Sequence, residues 1–176
     1  EILENNAKKY GSEIALVEIN PEVREDRRVT WKEYELIERG ASEEFRREIT
    51  WGVFDEKANR CANLLLSRGI KKGDKVMLVL KRHHQFWFSI LALHRIGAIV
   101  IPATNQLVKH DYEYRFEAAG ISAVVCTADG TVANEIELAA TNSPTLKTKI
   151  LVGGKRDGWN DFNAELSAYS TEFPRT

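Results

Sequence analysis

From about residue 50 onward the sequence alternates between stretches of helical periodicity and short apolar runs, and this alternation strongly constrains the fold. Residues 76–80 form an unbroken apolar run, which is typical of a strand covered on both faces of a sheet. Shorter runs at 98–101, 123–126 and 150–152 predict three further strands. Strands that alternate with helices indicate parallel βαβ units with right-handed crossovers. The predicted fold is therefore α/β, a mainly parallel sheet with helices on both faces.

The helices between these strands carry recognisable start and stop signals. Thr50 is placed to cap a helix whose apolar side chains recur at three- and four-residue spacing as far as Leu65, and Gly69 supplies a left-handed stop. Three more helices are predicted at about 109–119, 131–141 and 161–168. Residues 86–96 are apolar nearly all round, which predicts a buried helix closed by Gly97, with Phe86, Trp87 and Phe88 packed in the core.

The part of the chain before residue 49 has a different character. Residues 14–19 predict one more strand, and residues 20–48, in which 16 of 29 side chains are charged, predict a solvated insertion. Inside it, Val29-Thr30-Trp31 echoes Ile49-Thr50-Trp51, although a single echo of this kind does not establish a repeat. We therefore divide the chain into a charged insertion at 20–48 and βα repeats at 49–168.

Composition excludes several classes of protein. Hydrophobic residues make up 43% and charged residues 29% of the 176, as in ordinary globular domains. A formal net charge of −1 offers no basic field for nucleic acid, so no nucleic-acid partner is expected. No apolar run is long enough to predict a membrane span, and the default location is the cytoplasm. Cys61 and Cys126 lie within apolar runs and are predicted to be small core residues.

Motifs for cofactors and catalysis are sparse. The sequence has no Gly-x-Gly, which disfavours a nicotinamide or flavin enzyme, and the loop at 153–158 lacks the hydroxyl residue of a phosphate loop, so it is interpreted as a turn. His83 and His84 follow the strand at 76–80, where open α/β sheets place ligands. We interpret them as a polar loop, with substrate contact as the alternative. No catalytic residue and no metal site are predicted.

Several motifs taken together resemble the opening of the adenylate-forming superfamily. In chain order they are Ile49-Thr50-Trp51, Ala58-Asn59-Arg60, Ala62-Asn63, Gly69, Lys72-Gly73-Asp74-Lys75-Val76, Leu93-His94-Arg95-Ile96-Gly97-Ala98 and Ile101-Pro102-Ala103-Thr104. Within that superfamily the likeness is to medium-chain acyl-CoA synthetases, on the spacing of Ala103-Thr104-Asn105-Gln106, Asp111, Tyr114-Arg115, Asp157-Gly158-Trp159 and Phe162. The resemblance covers about residues 10–168.

The resemblance implies that the chain is an N-terminal fragment, part of the large N-terminal domain of an AMP-forming acyl-CoA synthetase. Such an enzyme activates a carboxylic acid with ATP and then transfers the acyl group to CoA. ATP, Mg²⁺ and CoA are implied for the full-length enzyme. None is expected on the fragment, because the phosphate loop and the catalytic lysine belong to later segments. The resemblance carries over one site residue, Gln106, which matches a glutamine beside CoA; a loop amide bonded to neighbouring backbone is the alternative.

Two consequences follow for the chain by itself. A fragment of a larger domain should be inactive alone and should expose apolar surface, so self-association is expected. The alternative from a different class is a stand-alone α/β binding or interaction module without catalysis, which fold alone does not exclude.

Overall fold

A computed structural model describes residues 1–19 and 46–174. The predicted charged insertion at 20–48 lies outside the described residues except for its last three, and the echo at 29–31 lies outside them entirely. The chain divides into two compact units, Glu1–Glu56 and Lys57–Thr176, which are described separately.

The first unit contains a helix and a two-stranded sheet. Helix α1 (Ile2–Tyr10) precedes β1 (Ile14–Ile19), which pairs antiparallel with β2 (Arg46–Thr50). Residues 14–19 are a strand, as predicted, and in the described residues it belongs to this two-stranded antiparallel sheet. In β2 Glu48 is exposed and Ile49 is buried, which suits an antiparallel pair that leaves one face to water. Helix α2 (Trp51–Ser67) begins where Thr50 Oγ1 accepts the Val53 N–H at 3.3 Å, so the predicted cap is confirmed.

The second unit is built on a parallel sheet, and the predicted α/β class is confirmed. In the described residues the strand order is β4-β3-β5-β6-β7, and every neighbouring pair is parallel. The strands are β3 (Lys75–Val79), β4 (Ile99–Pro102), β5 (Ala123–Thr127), β6 (Thr148–Val152) and β7 (Asn160–Asp161). The helices between and after them are α3 (Gln85–Ile96), α4 (Lys109–Ala119), α5 (Val132–Ala140) and α6 (Phe162–Leu166).

One face of this sheet is covered by α4 and α5. Side chains alternate along a strand, so every second residue of β3, β5 and β6 points to this face. These residues form one buried apolar cluster with the two helices. Its strand members are Met77, Val79, Val124, Cys126 and Leu151, and its helical members include Tyr112, Phe116, Ile136 and Ala139.

The opposite face is covered by the second-unit part of α2 together with α3 and α6. The intervening strand residues, Val76, Leu78, Val125 and Ile150 among them, are also fully buried. Helices α2 and α3 are joined by a hydrogen bond from Arg95 to Asn59, and α3 and α6 by one from Gln85 Nε2 to Asn163 Oδ1 at 3.2 Å. The sheet thus lies between two helical layers, as predicted.

The predicted burial of residues 86–96 is only partly right. Phe88 is buried, but Trp87 is 48% exposed, so its assignment to the core is wrong. Consecutive helical residues lie about 100° apart around the axis, and three in a row cannot all face the sheet. The helix ends at Gly97 with φ 79°, a left-handed conformation that favours glycine, as predicted. No helix in the described ranges is long and apolar enough to cross a membrane.

Candidate functional site

The carboxyl edge of the parallel sheet gathers the residues that the sequence singled out. Because β3, β4, β5 and β6 run in the same direction, the loops that follow them emerge at one edge. His83 follows β3, Gln106 follows β4, and the glycine loop at 153–158 follows β6. The loop after β3 also holds Lys81 at φ 32°, a conformation that residues other than glycine rarely adopt.

His83 links the ends of two neighbouring strands. Its Nε2 lies 2.7 Å from Thr127 Oγ1, at the end of β5, and 3.2 Å from Asp129 Oδ2. Thr127 Oγ1 also accepts the Asp129 N–H at 3.1 Å. Sequence reasoning missed Thr127 and Asp129. Residue 127 lies beside the loop after β3 because β5 pairs with β3 in the sheet, and no signal in the sequence specifies that pairing.

The arrangement around His83 does not form a nucleophilic triad. In a triad, the hydroxyl and the carboxylate bind opposite nitrogens of the imidazole. Here both groups face the same nitrogen, Nε2, so the hydroxyl and the carboxylate do not lie on opposite sides of the ring. Thr127 is also fully buried, which removes its hydroxyl from any substrate. The contact therefore joins two loops, and His84 turns away to meet Phe88 edge-on at 5.3 Å.

Gln106 lies in an exposed turn between β4 and α4. Its backbone N–H donates to Thr104 Oγ1 at 3.3 Å, and the next residue, Leu107, is buried and anchors the turn. Asp111 Oδ2 accepts the Val108 N–H at 3.1 Å and so caps the helix that follows. The Gln106 side chain is exposed at the same edge of the sheet as His83.

The glycine loop after β6 is shaped by a close approach to its neighbour. A Cβ placed on Gly154 would lie 2.7 Å from the Cβ of Ala128, so no side chain fits there without movement. Arg156 Nη1 donates to Asn134 Oδ1 at 2.6 Å, which holds the loop against α5. These contacts agree with the interpretation of the loop as a turn.

The same loop carries Trp159 into a polar network at the margin of the sheet. Trp159 Nε1 donates to Glu137 Oε2 at 2.6 Å, and Lys149 Nζ lies 2.8 Å from both Glu137 carboxylate oxygens. Burial favours the neutral acid, but the hydrogen bonds from Lys149 and Trp159 outweigh it and lower the pKa of Glu137 below its ordinary value. Trp159, one of the residues that carry the family resemblance, therefore has a structural role.

Both cysteines are buried and free, as predicted. Burial raises the pKa of each thiol to about 12, so neither forms a reactive thiolate at neutral pH. Within the described ranges no group of three or more His, Cys, Asp or Glu side chains could hold a metal ion.

Away from this edge, α2 carries polar motif residues that bind a distant segment. Arg60 Nη1 donates to the Ser167 and Tyr169 carbonyls, and Asn63 Nδ2 donates to the Ser170 and Glu172 carbonyls. Sequence reasoning assigned these side chains no partner.

Known proteins resemble this chain over most of its length. The AMP-binding enzyme family matches residues 3–173. The mitochondrial acyl-coenzyme A synthetase ACSM5 of Rattus norvegicus is 34% identical over 130 residues, and ACSM2A of Homo sapiens is 34% identical over 129. Each alignment covers 71% of this chain and 22% of the relative, so the chain spans about a fifth of their length.

Solved structures agree in fold. An acyl-CoA synthetase of Brucella canis superposes with a TM-score of 0.63 at 28% identity, over 76% of this chain and 24% of that one. The anthranilate CoA ligase AuaEII, in complex with anthranoyl-AMP, superposes with a TM-score of 0.77 at 21% identity. That alignment covers 99% of this chain and 29% of the ligase. The resemblance to adenylate-forming acyl-CoA synthetases is confirmed, and the chain belongs to the AMP-binding enzyme family.

Proposed function

We propose that this chain is part of the N-terminal domain of an AMP-forming acyl-CoA ligase. In the first step a carboxylate oxygen attacks the α-phosphorus of ATP, giving an acyl-adenylate and pyrophosphate. In the second, the CoA thiol attacks the acyl carbon, and AMP leaves as the thioester forms. The family match over residues 3–173 carries this proposal. Mg²⁺ would neutralise phosphate charge, and its ligands would come from polypeptide beyond these residues.

The role of this segment is to provide scaffold and part of the substrate surface. Within the described residues the buried groups that could react are held inactive, as the raised pKa of about 12 at Cys61 and Cys126 illustrates. Catalytic groups are expected in the rest of the ligase. We therefore expect the isolated chain to be inactive, whereas a longer ligase that contains it is active.

Carboxylate-dependent exchange of labelled pyrophosphate into ATP tests this division. The isolated chain should show no exchange above a protein-free control, and a longer polypeptide that continues into the ATP-binding segments should show it. Exchange by the 176-residue chain alone would contradict the proposal. Absence of exchange in the longer polypeptide with a panel of aliphatic and aromatic acids would favour a non-catalytic binding module.

Gln106 is proposed to contact CoA. Its exposed side chain lies at the carboxyl edge of the sheet, on a turn anchored by Leu107. In the longer ligase, Gln106→Ala should raise KM for CoA about three- to tenfold, the effect of losing one hydrogen bond, without changing pyrophosphate exchange. The matched control is Asn105→Ala, the exposed neighbour on the same turn. An unchanged KM for CoA would remove Gln106 from the site.

Location and assembly remain predictions. The curated relatives named above are mitochondrial proteins, so the cytoplasmic location expected from the sequence awaits a localisation experiment. Self-association of the isolated chain is expected from exposed apolar side chains such as Ile99 on β4, which is 48% exposed.

A further inference from the structure

Two side chains of α2 bind the backbone of a segment that follows α6. Arg60 and Asn63 are three residues apart and therefore lie on the same side of the helix. Arg60 Nη1 donates to the carbonyl oxygens of Ser167 at 2.5 Å and Tyr169 at 2.8 Å. Asn63 Nδ2 donates to the carbonyl oxygens of Ser170 at 3.0 Å and Glu172 at 2.9 Å. Each nitrogen carries two hydrogens, and both are used.

The first part of the bound segment is also held by turn hydrogen bonds, from the Ala168 N–H to the Glu165 carbonyl at 3.0 Å and from the Tyr169 N–H to the Leu166 carbonyl at 3.4 Å. Residues 167–172 contain no helix or strand, and all their side chains except that of Tyr169 are exposed. Tyr169 is partly buried, and its hydroxyl lies 2.7 Å from Ser67 Oγ at the end of α2. Burial of apolar surface therefore contributes little here, and the hydrogen bonds, two of them from a charged guanidinium, fix the course of the chain.

The acceptors are main-chain carbonyls, which every residue type provides. The contact therefore depends on the identity of Arg60 and Asn63 and on the path of the segment, but not on the segment's side chains. Glu172 illustrates this independence, because its carbonyl is bound while its side chain is exposed.

We propose that Arg60 and Asn63 are positioning residues that bind the backbone of residues 167–172 and so fix the direction in which the chain leaves the α/β unit. This clamp, defined as Arg60 and Asn63, stands independently of any enzyme activity. Its consequence for catalysis rests on the proposed ligase function, in which the polypeptide that follows this segment contributes to ATP binding.

Native-state proteolysis tests the clamp on the 176-residue chain. Asn63→Asp keeps the shape of the side chain but replaces the Nδ2 donor, with both of its hydrogens, by a carboxylate oxygen. Chymotrypsin cleavage after Tyr169 should become about tenfold faster, because the carbonyls of Ser170 and Glu172 lose their partners. Cleavage after Tyr112, which is fully buried, serves as the internal reference for global unfolding. Glu172→Ala should leave the rate of cleavage after Tyr169 unchanged.

A second pair of variants tests the other half of the clamp. Arg60→Met keeps the aliphatic stem and removes the guanidinium, whereas Lys57→Met removes a cation one turn earlier on α2. Only Arg60→Met should accelerate cleavage after Tyr169. The clamp would be overturned if both Asn63→Asp and Arg60→Met were cleaved after Tyr169 at the wild-type rate. It would also be overturned if cleavage after Tyr112 and after Tyr169 accelerated equally. Acceleration in Glu172→Ala would overturn it as well, because the segment's side chains would then matter.

The catalytic consequence is tested in the longer ligase. Asn63→Asp should raise KM for ATP about tenfold with kcat nearly unchanged, and Glu172→Ala should change neither. Equal KM values in Asn63→Asp and wild type would overturn the positioning role. A wild-type ligase with no pyrophosphate exchange would contradict the proposed function instead, and the cleavage rates would still decide whether the clamp exists.

Discussion

In the layer formed by α4 and α5, contacts with the sheet are almost entirely apolar, whereas α2, α3 and α6 on the opposite face are joined to one another by side-chain hydrogen bonds. The first layer buries large side chains such as Phe116, and its polar network at Glu137 lies at the margin. The second layer uses Arg60, Asn63 and Arg68 to fix where segments run. The comparison teaches that apolar burial stabilises both layers, and that the second layer in addition uses polar contacts to determine where segments run.

The largest expected effect comes from breaking the apolar layer. Phe116 is fully buried in the cluster, so Phe116→Ala should lower the free energy of unfolding by about 3–5 kcal/mol through lost burial and the cavity left behind. Urea denaturation measures the change. Tyr114, two residues earlier on α4 and 70% exposed, gives the matched control, and Tyr114→Ala should have little effect. Similar losses in both variants would contradict the assignment of this layer's stability to apolar burial.

A smaller effect is expected from the ion pair in the polar layer. Arg68 Nη2 contacts Glu165 Oε2, but the two side chains are 35% and 27% exposed, so water and salt screen the pair. A double-mutant cycle with Arg68→Met and Glu165→Gln should give a coupling of about 0.5–1 kcal/mol. A coupling as large as the loss in Phe116→Ala would show that polar contacts also dominate stability.

The smallest effect concerns Glu137 and appears only in acid. Its pKa in the folded chain lies below the ordinary value of 4.5, so its ion pair with Lys149 adds stability above that pH. The contribution is lost as pH falls through the lowered pKa. Wild type should therefore be more stable than Glu137→Gln at neutral pH, and the difference should shrink below about pH 4.5. A difference that stays constant from pH 7 to 3 would contradict this assignment.

The strands of the parallel sheet were predictable because their signal is local. Residues 76–80 are apolar without interruption, and a short run of this kind is typical of a buried strand. The prediction that Trp87 is buried was wrong for an equally local reason. A helix that is apolar nearly all round shows no periodicity that indicates its buried side, and packing against α2 and the sheet determines which side chains are buried.

The candidate site was less predictable because its contacts join distant parts of the chain. Arg60 and Asn63 reach carbonyls 107 or 109 positions away, and a carbonyl leaves no mark in a sequence. The partners of His83 depend on β5 lying beside β3, which the order of elements along the chain does not specify. Gln106 was found only through resemblance to a family.

Gly154 and Ala128 lie so close together that the residue type at one position limits the residue type at the other. The two positions belong to different loops at the same edge of the sheet. A methyl group added at position 154 would overlap the methyl group of Ala128. The two side chains therefore compete for the same space. Changes that enlarge one position should be tolerated only when the other is reduced. Attempts to redesign this edge would do best to vary both positions as a pair.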